Sequence, residues 1–372
     1  MKLLFITQVV DRNDAVLGAY HGWLVALAPQ FEKITVICLK EGEHSLPENV
    51  RVFSLGKEHG RVSRSHYAWR FLKIIWRQRG AYDAVFVHMN QEYILIAGWL
   101  WKLLGKKIYL WRNHYAGSFL TDVAALFCAS VFCTSKYSYT AHYKKTVFMP
   151  VGIDAEVFKT VPRVVRKPHS ILFLARMSAS KHPELLIEAL GLLKIRGIEC
   201  TAALYGSPLA EDEAFYASLQ TRVRDLHLDS CVTFHAGVPN IQTPTVYSRF
   251  EIFVNCSPSG MYDKTIFEAA ACGVLPLAAS RDWALVADSR LSFTEGEAED
   301  LADKLWGLLS LPPAQAAVLR EGLWTAVEHN TLSTLTHQMT ARIKQENSLL
   351  PHKQRVVLFQ NGSIGDFLWQ CI

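Results

Sequence analysis

Two cations in the second half of the chain stand where a phosphate group could bind. Arg176 and Lys181 come directly after the apolar run ILFLA, which is typical of a buried strand. Cations beside the free N–H groups of a helix start form a natural pyrophosphate site. Two solvated surface cations without a ligand would show the same sequence pattern and are the alternative. Which groups lie nearby decides between a phosphate site and an ordinary surface.

A glycine turn and a longer loop follow the next strand-like runs of this half. Gly206 and Ser207 come after TAALY, and a residue without a Cβ atom lets the backbone approach a flat or charged group closely. The stretch SPSGMYDKTIFEAAACG predicts a loop up to Asp263 and a helix over 264–272, which Gly273 ends in a left-handed conformation. The N-terminus of this helix should point at the same crevice as the two cations.

One carboxylate, Glu268, lies inside this helix among apolar residues. A partly buried carboxylate is costly unless hydrogen-bond donors compensate for the lost water. The two hydroxyls of a ribose would supply such donors. Capping by Thr265 or by the N–H groups of the helix is the alternative.

The first half of the chain contributes a glycine loop and residues at two strand ends. Gly18 lies in DRNDAVLGAYHGW, which contains no G-x-G-x-x-G and so disfavours a nicotinamide dehydrogenase. His88 and His114 stand at strand ends, where a structural role competes with a chemical one. Arg112 and Asn113 lie beside His114 and could reach an anionic acceptor.

Short apolar runs alternate with helical patterns and must position these residues. Continuous apolar strands between helices predict a parallel sheet that is covered on both faces. A polar, proline-marked stretch at 159–170 separates two such series. We therefore predict an α/β protein with two doubly wound, Rossmann-like domains that face a central cleft. The predicted divisions are the two domains at 1–162 and 163–330, a helix at 331–348 that packs back toward the first domain, and a tail at 349–372.

The bulk composition sets broad limits on this protein. Its 372 residues are 50% hydrophobic and 20% charged, and the formal net charge is +5. This mild charge suits an anionic small molecule or a membrane surface and does not require nucleic acid. The eight cysteines show no C-x-x-C pair and predict free thiols in a reducing, cytoplasmic compartment. No signal peptide or membrane-spanning run is expected.

The segment SHYAWRFLKIIWRQRG predicts a helix with one basic stripe. Its members recur at helical spacing and are His66, Arg70, Lys73 and Arg77. Trp69 and Trp76 flank the stripe, and aromatic residues beside basic ones suit an anionic membrane surface. An ordinary solvated helix face is the alternative.

Several of these motifs resemble family 4 glycosyltransferases, which have the GT-B fold. The resemblance covers about residues 1–345, and its motifs are Arg176 with Lys181, Gly206, SPSGMYDKTIFEAAACGVLPLAAS, NHYAG, CTSKYS and MPVGIDAEVF. The last eighteen residues, 355–372, weakly resemble the start of a family 9, heptosyltransferase-like domain.

The resemblance implies a role for each matching position. Gly18, with Tyr20 in support, would lie under the donor phosphates and against the acceptor, and His114 would contact the transferred sugar across the cleft. Arg176 and Lys181 would stabilise the leaving diphosphate, beside the turn at Gly206 and Ser207. The family typically carries two glutamates eight positions apart, but only the second is present, as Glu268, because position 260 is glycine. We expect the residues just after Gly260 to meet the sugar or phosphate instead, namely Met261, Tyr262, Asp263 and Lys264.

The implied reaction moves a sugar from a nucleotide-sugar donor to a glycan or lipid-linked acceptor with retention at the anomeric carbon. The expected setting is cell-envelope polysaccharide or glycolipid synthesis on the cytoplasmic side, with possible peripheral membrane contact. The sequence contains no D-x-D, so no metal and no other cofactor is expected. A catalytically silent GT-B protein that binds a nucleotide sugar or scaffolds a partner is the alternative, and a nucleotide-sugar dehydrogenase or epimerase is a second rival.

Overall fold

The computed structural model describes residues 1–14 and 17–348, and the predicted tail lies outside them. Seven strands form a first parallel sheet in the order β3-β2-β1-β4-β5-β6-β7. These strands are β1 Lys2–Val10, β2 Lys33–Glu41, β3 Val50–Ser54, β4 Ala84–His88, β5 Lys107–Trp111, β6 Ser130–Cys133 and β7 Thr146–Phe148.

Helices cover both faces of this first sheet, which explains its continuous apolar strands. Along β1, Leu3 and Phe5 face one buried cluster, while Leu4 and Ile6 face the other. The helices that connect these strands are α1 Ala19–Leu27, α2 Arg64–Gln78, α3 Glu92–Leu103 and α4 Phe119–Phe127. Helix α1 packs on one face, and α2, α3 and α4 pack side by side on the other.

Five strands form a second parallel sheet in the order β10-β9-β8-β11-β12. They are β8 Ser170–Leu174, β9 Thr201–Tyr205, β10 Val232–His235, β11 Ile252–Asn255 and β12 Leu275–Ala278. The accompanying helices are α5 Pro183–Ile195, α6 Glu213–Asp225, α7 Thr243–Tyr247, α8 Lys264–Ala271, α9 Arg281–Ala284, α10 Ala298–Leu309 and α11 Pro313–His329. The strand order reverses between β8 and β11, so a ligand crevice is expected at their carboxyl ends.

The chain crosses between the two sheets twice. Val151, Ile153 and Phe158 already pack in the core of the second sheet, although they precede the predicted division at 162. Helix α12, Leu332–Ser348, returns to the first sheet. There, Met339 and Ile343 share a buried cluster with Trp23 of α1. The two sheets are therefore linked by two separate chain segments.

The predicted fold class is confirmed, since the two doubly wound parallel sheets are both present. Within residues 1–14 and 17–348, none of the helices has the length and apolar character that crossing a bilayer requires. Seven of the eight cysteines lie in the described part of the chain, where all seven are free thiols. Cys371 lies outside that part.

A candidate ligand cleft between the two sheets

Lys181 and Asp263 meet at the point where the order of the second sheet reverses. Lys181 follows β8 and Asp263 follows β11, so both stand at the carboxyl ends of neighbouring strands. The Lys181 Nζ atom donates to Asp263 Oδ2 at 2.6 Å and to Ser257 Oγ at 3.1 Å. Lys181 and Asp263 were each predicted from the sequence as site candidates, and the structure shows that they form an ion pair with each other.

Asp263 also begins helix α8. Its Oδ1 accepts from the N–H of Thr265 at 3.3 Å, which caps the helix N-terminus. Burial would raise the pKa of this carboxyl, but the Lys181 ammonium and the hydrogen bonds hold it well below its usual range. The helix ends as predicted, because Gly273 has a φ of +75° that favours glycine.

Glu268 lies one turn further along α8, and its side chain is 5% exposed. The Tyr247 hydroxyl donates to its Oε2 over a long 3.5 Å. Burial raises the pKa of Glu268, while the nearby Lys264 ammonium opposes that rise. Thr265 accepts from Asn255 Nδ2 at 3.0 Å. The described hydrogen bonds therefore give no cap from Thr265 to Glu268, which was one of the predicted alternatives.

Lys264 connects the two sides of the cleft. Its Nζ lies 4.8 Å from the ring centroid of Tyr20 and 5.2 Å from that of Trp23, both on α1. Burial lowers the pKa of Lys264, whereas Glu268 and Asp263 raise it. A cation over two aromatic faces and beside two carboxylates is held by both halves of the molecule. The first turn of α8 thus reaches the loop that contains Gly18.

Gly260 packs directly against the first half of the chain. Its φ is +95°, and a Cβ atom there would lie 2.7 Å from Tyr115 Cβ and 2.8 Å from the carbonyl oxygen of Tyr137. A glutamate at this position would therefore clash with backbone that cannot move aside easily. Glycine therefore fits this position, where the two halves of the chain touch.

A second contact between the halves was missed by the sequence reasoning. Asp282 of α9 accepts from the Ser135 hydroxyl and, at 2.9 Å, from the Lys136 N–H. The guanidinium of Arg281 lies 4.0 Å from the ring centroid of Tyr137. Burial raises the pKa of Asp282, and these two hydrogen bonds oppose the rise. The sequence showed Ser135, Lys136 and Tyr137 only as part of the motif CTSKYS, without a role, because they meet Arg281 and Asp282 only when the halves pack together.

The remaining candidates of the second half lie along the same sheet edge. Arg176 is exposed, and Gly206 lies so close to the end of β8 that a Cβ atom would lie 1.9 Å from the oxygen of Ala175, which follows that strand. Ser207 Oγ accepts from the N–H of Gly237 at 3.1 Å, which joins the loops after β9 and β10. In the loop before α8, Met261 and Tyr262 are half-buried, and the Tyr262 ring packs edge-on against Phe267.

His88 lies in an aromatic cluster, not on the surface of the cleft. It is 1% exposed and its ring centroid is 4.1 Å from that of Tyr20. Its Nδ1 lies 3.3 Å from the Thr7 hydroxyl, while the buried Nε2 has no partner among the described residues. Burial, aided by the positive charge of Lys264, lowers the pKa of His88 to about 3. The imidazole ring is therefore neutral near pH 7, and it packs against the ring of Tyr20.

The three candidates after β5 bond mainly to the local backbone. Asn113 Oδ1 accepts from the N–H groups of Thr134 and Ser135, each at 3.2 Å. Arg112 donates to the Ala116 oxygen at 3.1 Å, and His114 Nδ1 accepts from the Ala116 N–H at 2.9 Å. Burial lowers the pKa of His114, and the nearby Arg112 guanidinium lowers it further. Only the Nε2 atom of His114 is left for a ligand.

Comparisons with known proteins define the class of this fold. Residues 168–310 match the family model described as "Glycosyl transferases group 1". Among solved structures, Anabaena Alr3699/HepE in complex with UDP and glucose aligns with a TM-score of 0.74 at 18% identity, covering 93% of this chain and 100% of that one. Sucrose-phosphate synthase from Thermosynechococcus elongatus aligns with a TM-score of 0.73 at 16% identity, again covering 93% and 100%. The fold is therefore GT-B.

Two curated relatives match less than half of the chain. They are the GtfA subunits of a UDP-N-acetylglucosamine–peptide N-acetylglucosaminyltransferase from Streptococcus pneumoniae, 29% identical over 176 residues, and from Streptococcus parasanguinis, 27% identical over 173 residues. The matches cover 45% and 44% of this chain but only 33% and 32% of those proteins. The chain thus spans about a third of the length of these curated relatives. Together with the fold, the family match supports a GT-B glycosyltransferase.

Proposed function

We propose that this protein transfers a sugar from a nucleotide-sugar donor to a glycan or lipid-linked acceptor, with retention at the anomeric carbon. The proposed setting is cell-envelope polysaccharide or glycolipid synthesis on the cytoplasmic face of a membrane. One observation carries the proposal: Lys181, Asp263, Lys264 and Glu268 form a single charged cluster at the strand-order reversal of the second sheet. That position is where open parallel sheets bind their ligands.

The cations and the helix terminus suit the diphosphate of such a donor. A lysine ammonium has three N–H donors, and Lys181 uses one on Asp263 and one on Ser257. The third has no partner among the described residues and can bind a phosphate oxygen, and the two bonds to protein hold the ammonium in place. The N-terminus of α8 and the exposed Arg176 add positive potential on the same side. We propose that these groups stabilise the leaving diphosphate without a metal ion.

We propose that Glu268 accepts hydrogen bonds from the ribose. Tyr247 and Asn240 both donate to this buried carboxylate, Tyr247 over a long 3.5 Å, and two carboxylate oxygens can accept further donors. Two ribose hydroxyls would satisfy it, and their binding would favour its charged form. Lys264, held between Glu268 and the aromatic rings of α1, is proposed to face the sugar or its phosphate.

The proposed reaction exchanges one bond at the anomeric carbon for another on the same face of the sugar. The bond to the terminal donor phosphate breaks and its electron pair leaves with the nucleoside diphosphate. The acceptor oxygen forms the new bond, and its proton passes to an oxygen of the departing phosphate. His114 Nε2 is proposed to contact a sugar hydroxyl from the opposite side, and the loop at Gly18 is proposed to lie under the phosphates.

A donor panel tests this proposal. UDP-, GDP- and ADP-sugars are assayed for released nucleoside diphosphate, with and without a chelator, using the parent protein and its Lys181→Ala and Glu268→Ala variants. Lys159→Ala is the matched control, since Lys159 is exposed and pairs only with the exposed Glu156. We expect release from one donor that is unaffected by the chelator, retained in the control and lost in both site variants.

Binding measurements separate the proposal from its rival when no release is seen. A catalytically silent nucleotide-sugar-binding protein is the second candidate, and the glycine at position 260 is the observation that favours it. Donor binding without release, even with candidate acceptors present, would support that rival. Absence of binding by every donor would contradict the site assigned to Lys181 and Glu268.

A further inference from the structure

A basic groove lies on the first half of the molecule, at the edge of its sheet. It runs between α2 and the edge strand β3 and has a volume of about 590 Å³. The lining residues are Glu41, Val52, Phe53, Ser54, Glu58, His59, His66, Trp69, Arg70, Lys73, Ile74 and Arg77. All four members of the basic stripe predicted on α2 therefore line one groove.

Charge is concentrated in the segment that forms this groove. Residues 57–79 contain seven lysines and arginines and one glutamate, a formal charge of +6, whereas the whole chain carries +5. The rest of the protein is therefore close to neutral, and helix α2 itself contains no acidic residue. Such a local excess attracts anions to this surface and not to the molecule in general.

The carboxylates of the groove are already engaged by neighbouring groups. Glu58 accepts from the Ser54 hydroxyl at 2.8 Å and from the Glu41 N–H at 3.2 Å. Glu41 in turn pairs with His44 at 2.9 Å. Arg70 is partly occupied as well, since it donates to the Leu55 oxygen at 3.1 Å. Lys73 and Arg77 are exposed, and the described contacts give neither of them a carboxylate partner.

Two exposed tryptophans of α2 contact cations of the same segment. Trp69 is 58% exposed and Trp76 is 51% exposed. The Lys73 ammonium lies 4.5 Å from the centroid of the Trp69 ring, and the Arg79 guanidinium lies 4.5 Å from that of Trp76. Tryptophan with lysine or arginine is the side-chain combination that suits the headgroup region of a bilayer, because each has an apolar body and a polar end.

The neighbouring helices of the same layer also expose apolar side chains. Helices α2, α3 and α4 cover one face of the first sheet, so their exposed side chains point away from it. Trp99 and Leu103 of α3 are 50% and 64% exposed, and Leu126 of α4 is 75% exposed. The apolar side chains thus extend beyond the basic helix over an outer surface of this domain.

We infer that this outer surface docks on an anionic lipid bilayer, with a lipid headgroup phosphate held in the groove by Lys73 and Arg77. Trp69 and Trp76 lie at the depth of the headgroups, and the exposed side chains of α3 and α4 rest on the membrane beside them. The formal charge of +6 on residues 57–79 favours binding to an anionic bilayer over a neutral one. The inference does not depend on glycosyl transfer, because its test measures binding alone.

The second half of the molecule supplies a matched control. Trp306 of α10 is 50% exposed and Trp324 of α11 is 61% exposed, much like the two tryptophans of α2. Helix α10 carries three acidic residues and one lysine, so its charge has the opposite sign to that of α2. Exposure of tryptophan is therefore similar on both halves, while the charge beside it differs.

Co-sedimentation of the full chain with vesicles tests the inference. Phosphatidylcholine vesicles are compared with vesicles that contain about 30% phosphatidylglycerol. We expect the protein to bind the anionic vesicles at least about tenfold more tightly, and to lose this binding as salt is raised. Lys73→Glu with Arg77→Glu, and separately Trp69→Ala with Trp76→Ala, should each weaken binding at least about tenfold. Trp306→Ala with Trp324→Ala should leave it unchanged.

Three results would overturn the inference. They are absence of binding to anionic vesicles, equal binding to neutral and anionic vesicles, and an equal loss in the control variant. Thermal unfolding of each variant shows whether a loss of binding comes from unfolding. All six substitutions are at exposed positions and are expected to leave the midpoint within a few degrees of the parent.

Discussion

The two sides of the cleft hold their polar residues in different ways. On the side of the second sheet, Lys181, Asp263 and Ser257 bond to one another, and Lys264 lies beside Glu268. On the side of the first sheet, Asn113 and His114 bond to nearby backbone, and His88 is buried among aromatic rings. The side of the second sheet therefore holds a cluster of opposite charges, whereas Arg112 on the side of the first sheet bonds to the Ala116 backbone oxygen.

This difference shows which residues can be recognised from their chemical type. A charged side chain near the core needs an opposite charge or several hydrogen-bond donors. Each of Lys181, Asp263 and Glu268 therefore predicts a compensating group nearby. A histidine or asparagine at a strand end can be satisfied by any nearby N–H or hydroxyl group. Its type therefore says little about whether it faces a ligand. The following predictions test this contrast, from the largest expected effect to the smallest.

Asp263→Ala should have the largest effect on stability. The change leaves the Lys181 ammonium partly buried without its carboxylate and removes the cap of α8. We expect the free energy of unfolding to fall by about 3 to 5 kcal/mol. Urea denaturation measures the change. Asp288→Ala removes an exposed pair with Arg290 and should cost less than about 1 kcal/mol. Equal losses in the two variants would show that the pair of Lys181 and Asp263 contributes no more to stability than an exposed ion pair.

Gly260→Ala tests the contact between the two sides. The new methyl group would meet Tyr115 and the Tyr137 backbone, so we expect a loss of about 2 to 4 kcal/mol in stability or in the free energy of domain closure. Small-angle scattering, together with denaturation, distinguishes opening from unfolding. Gly296→Ala is the matched control, because Gly296 has a similar φ of +85° but nothing within 4 Å of the added atom. It should cost about 1 kcal/mol and leave the shape unchanged.

His88 should make stability depend on pH. In the unfolded chain its pKa is near 6.5, whereas burial lowers it to about 3 in the folded protein. Between these values the unfolded state binds more protons, so stability falls as the pH falls. From pH 7 to pH 5 we expect His88 to account for about 2 kcal/mol of loss. His88→Phe should remove this part of the pH dependence. If the free energy of unfolding depends on pH in the same way in both proteins, the pKa of His88 is not lowered by burial, and a charged partner or water lies beside it.

Substitutions at Asn113 should have the smallest effect on stability. They distinguish a structural role of this residue from a role in binding the acceptor. Asn113→Ala removes the acceptor of two backbone N–H groups and should cost about 1 kcal/mol of stability. Asn113→Asp keeps an oxygen at that place and should retain most of the stability. If Asn113→Asp instead abolishes turnover while the protein remains fully folded, then Asn113 contacts the acceptor and the contrast between the two sides is weaker than described.

Much of the architecture follows from local patterns in the sequence. Apolar runs such as KLLFIT and FEIFVNCS became buried parallel strands, because a strand covered on both faces has no polar side to alternate. Helix α8 began and ended where Asp263 and Gly273 predicted, since an N-cap carboxylate and a glycine at positive φ are local requirements. Lys181 and Asp263 also meet at the carboxyl ends of neighbouring strands, as the rule for parallel sheets predicts.

The sequence by itself therefore determined the two doubly wound sheets and the residue types of the charged cluster beside the second sheet, because periodicity, caps and charge pairing act over short distances. Only the tertiary structure decided how the halves meet. Three contacts join residues that are far apart in the chain. Ser135 donates to Asp282, the Lys264 ammonium lies over the Tyr20 ring, and Gly260 packs so closely on Tyr115 and Tyr137 that no side chain fits there. Such contacts depend on the relative placement of two separately folded cores, and no spacing within either half encodes that placement.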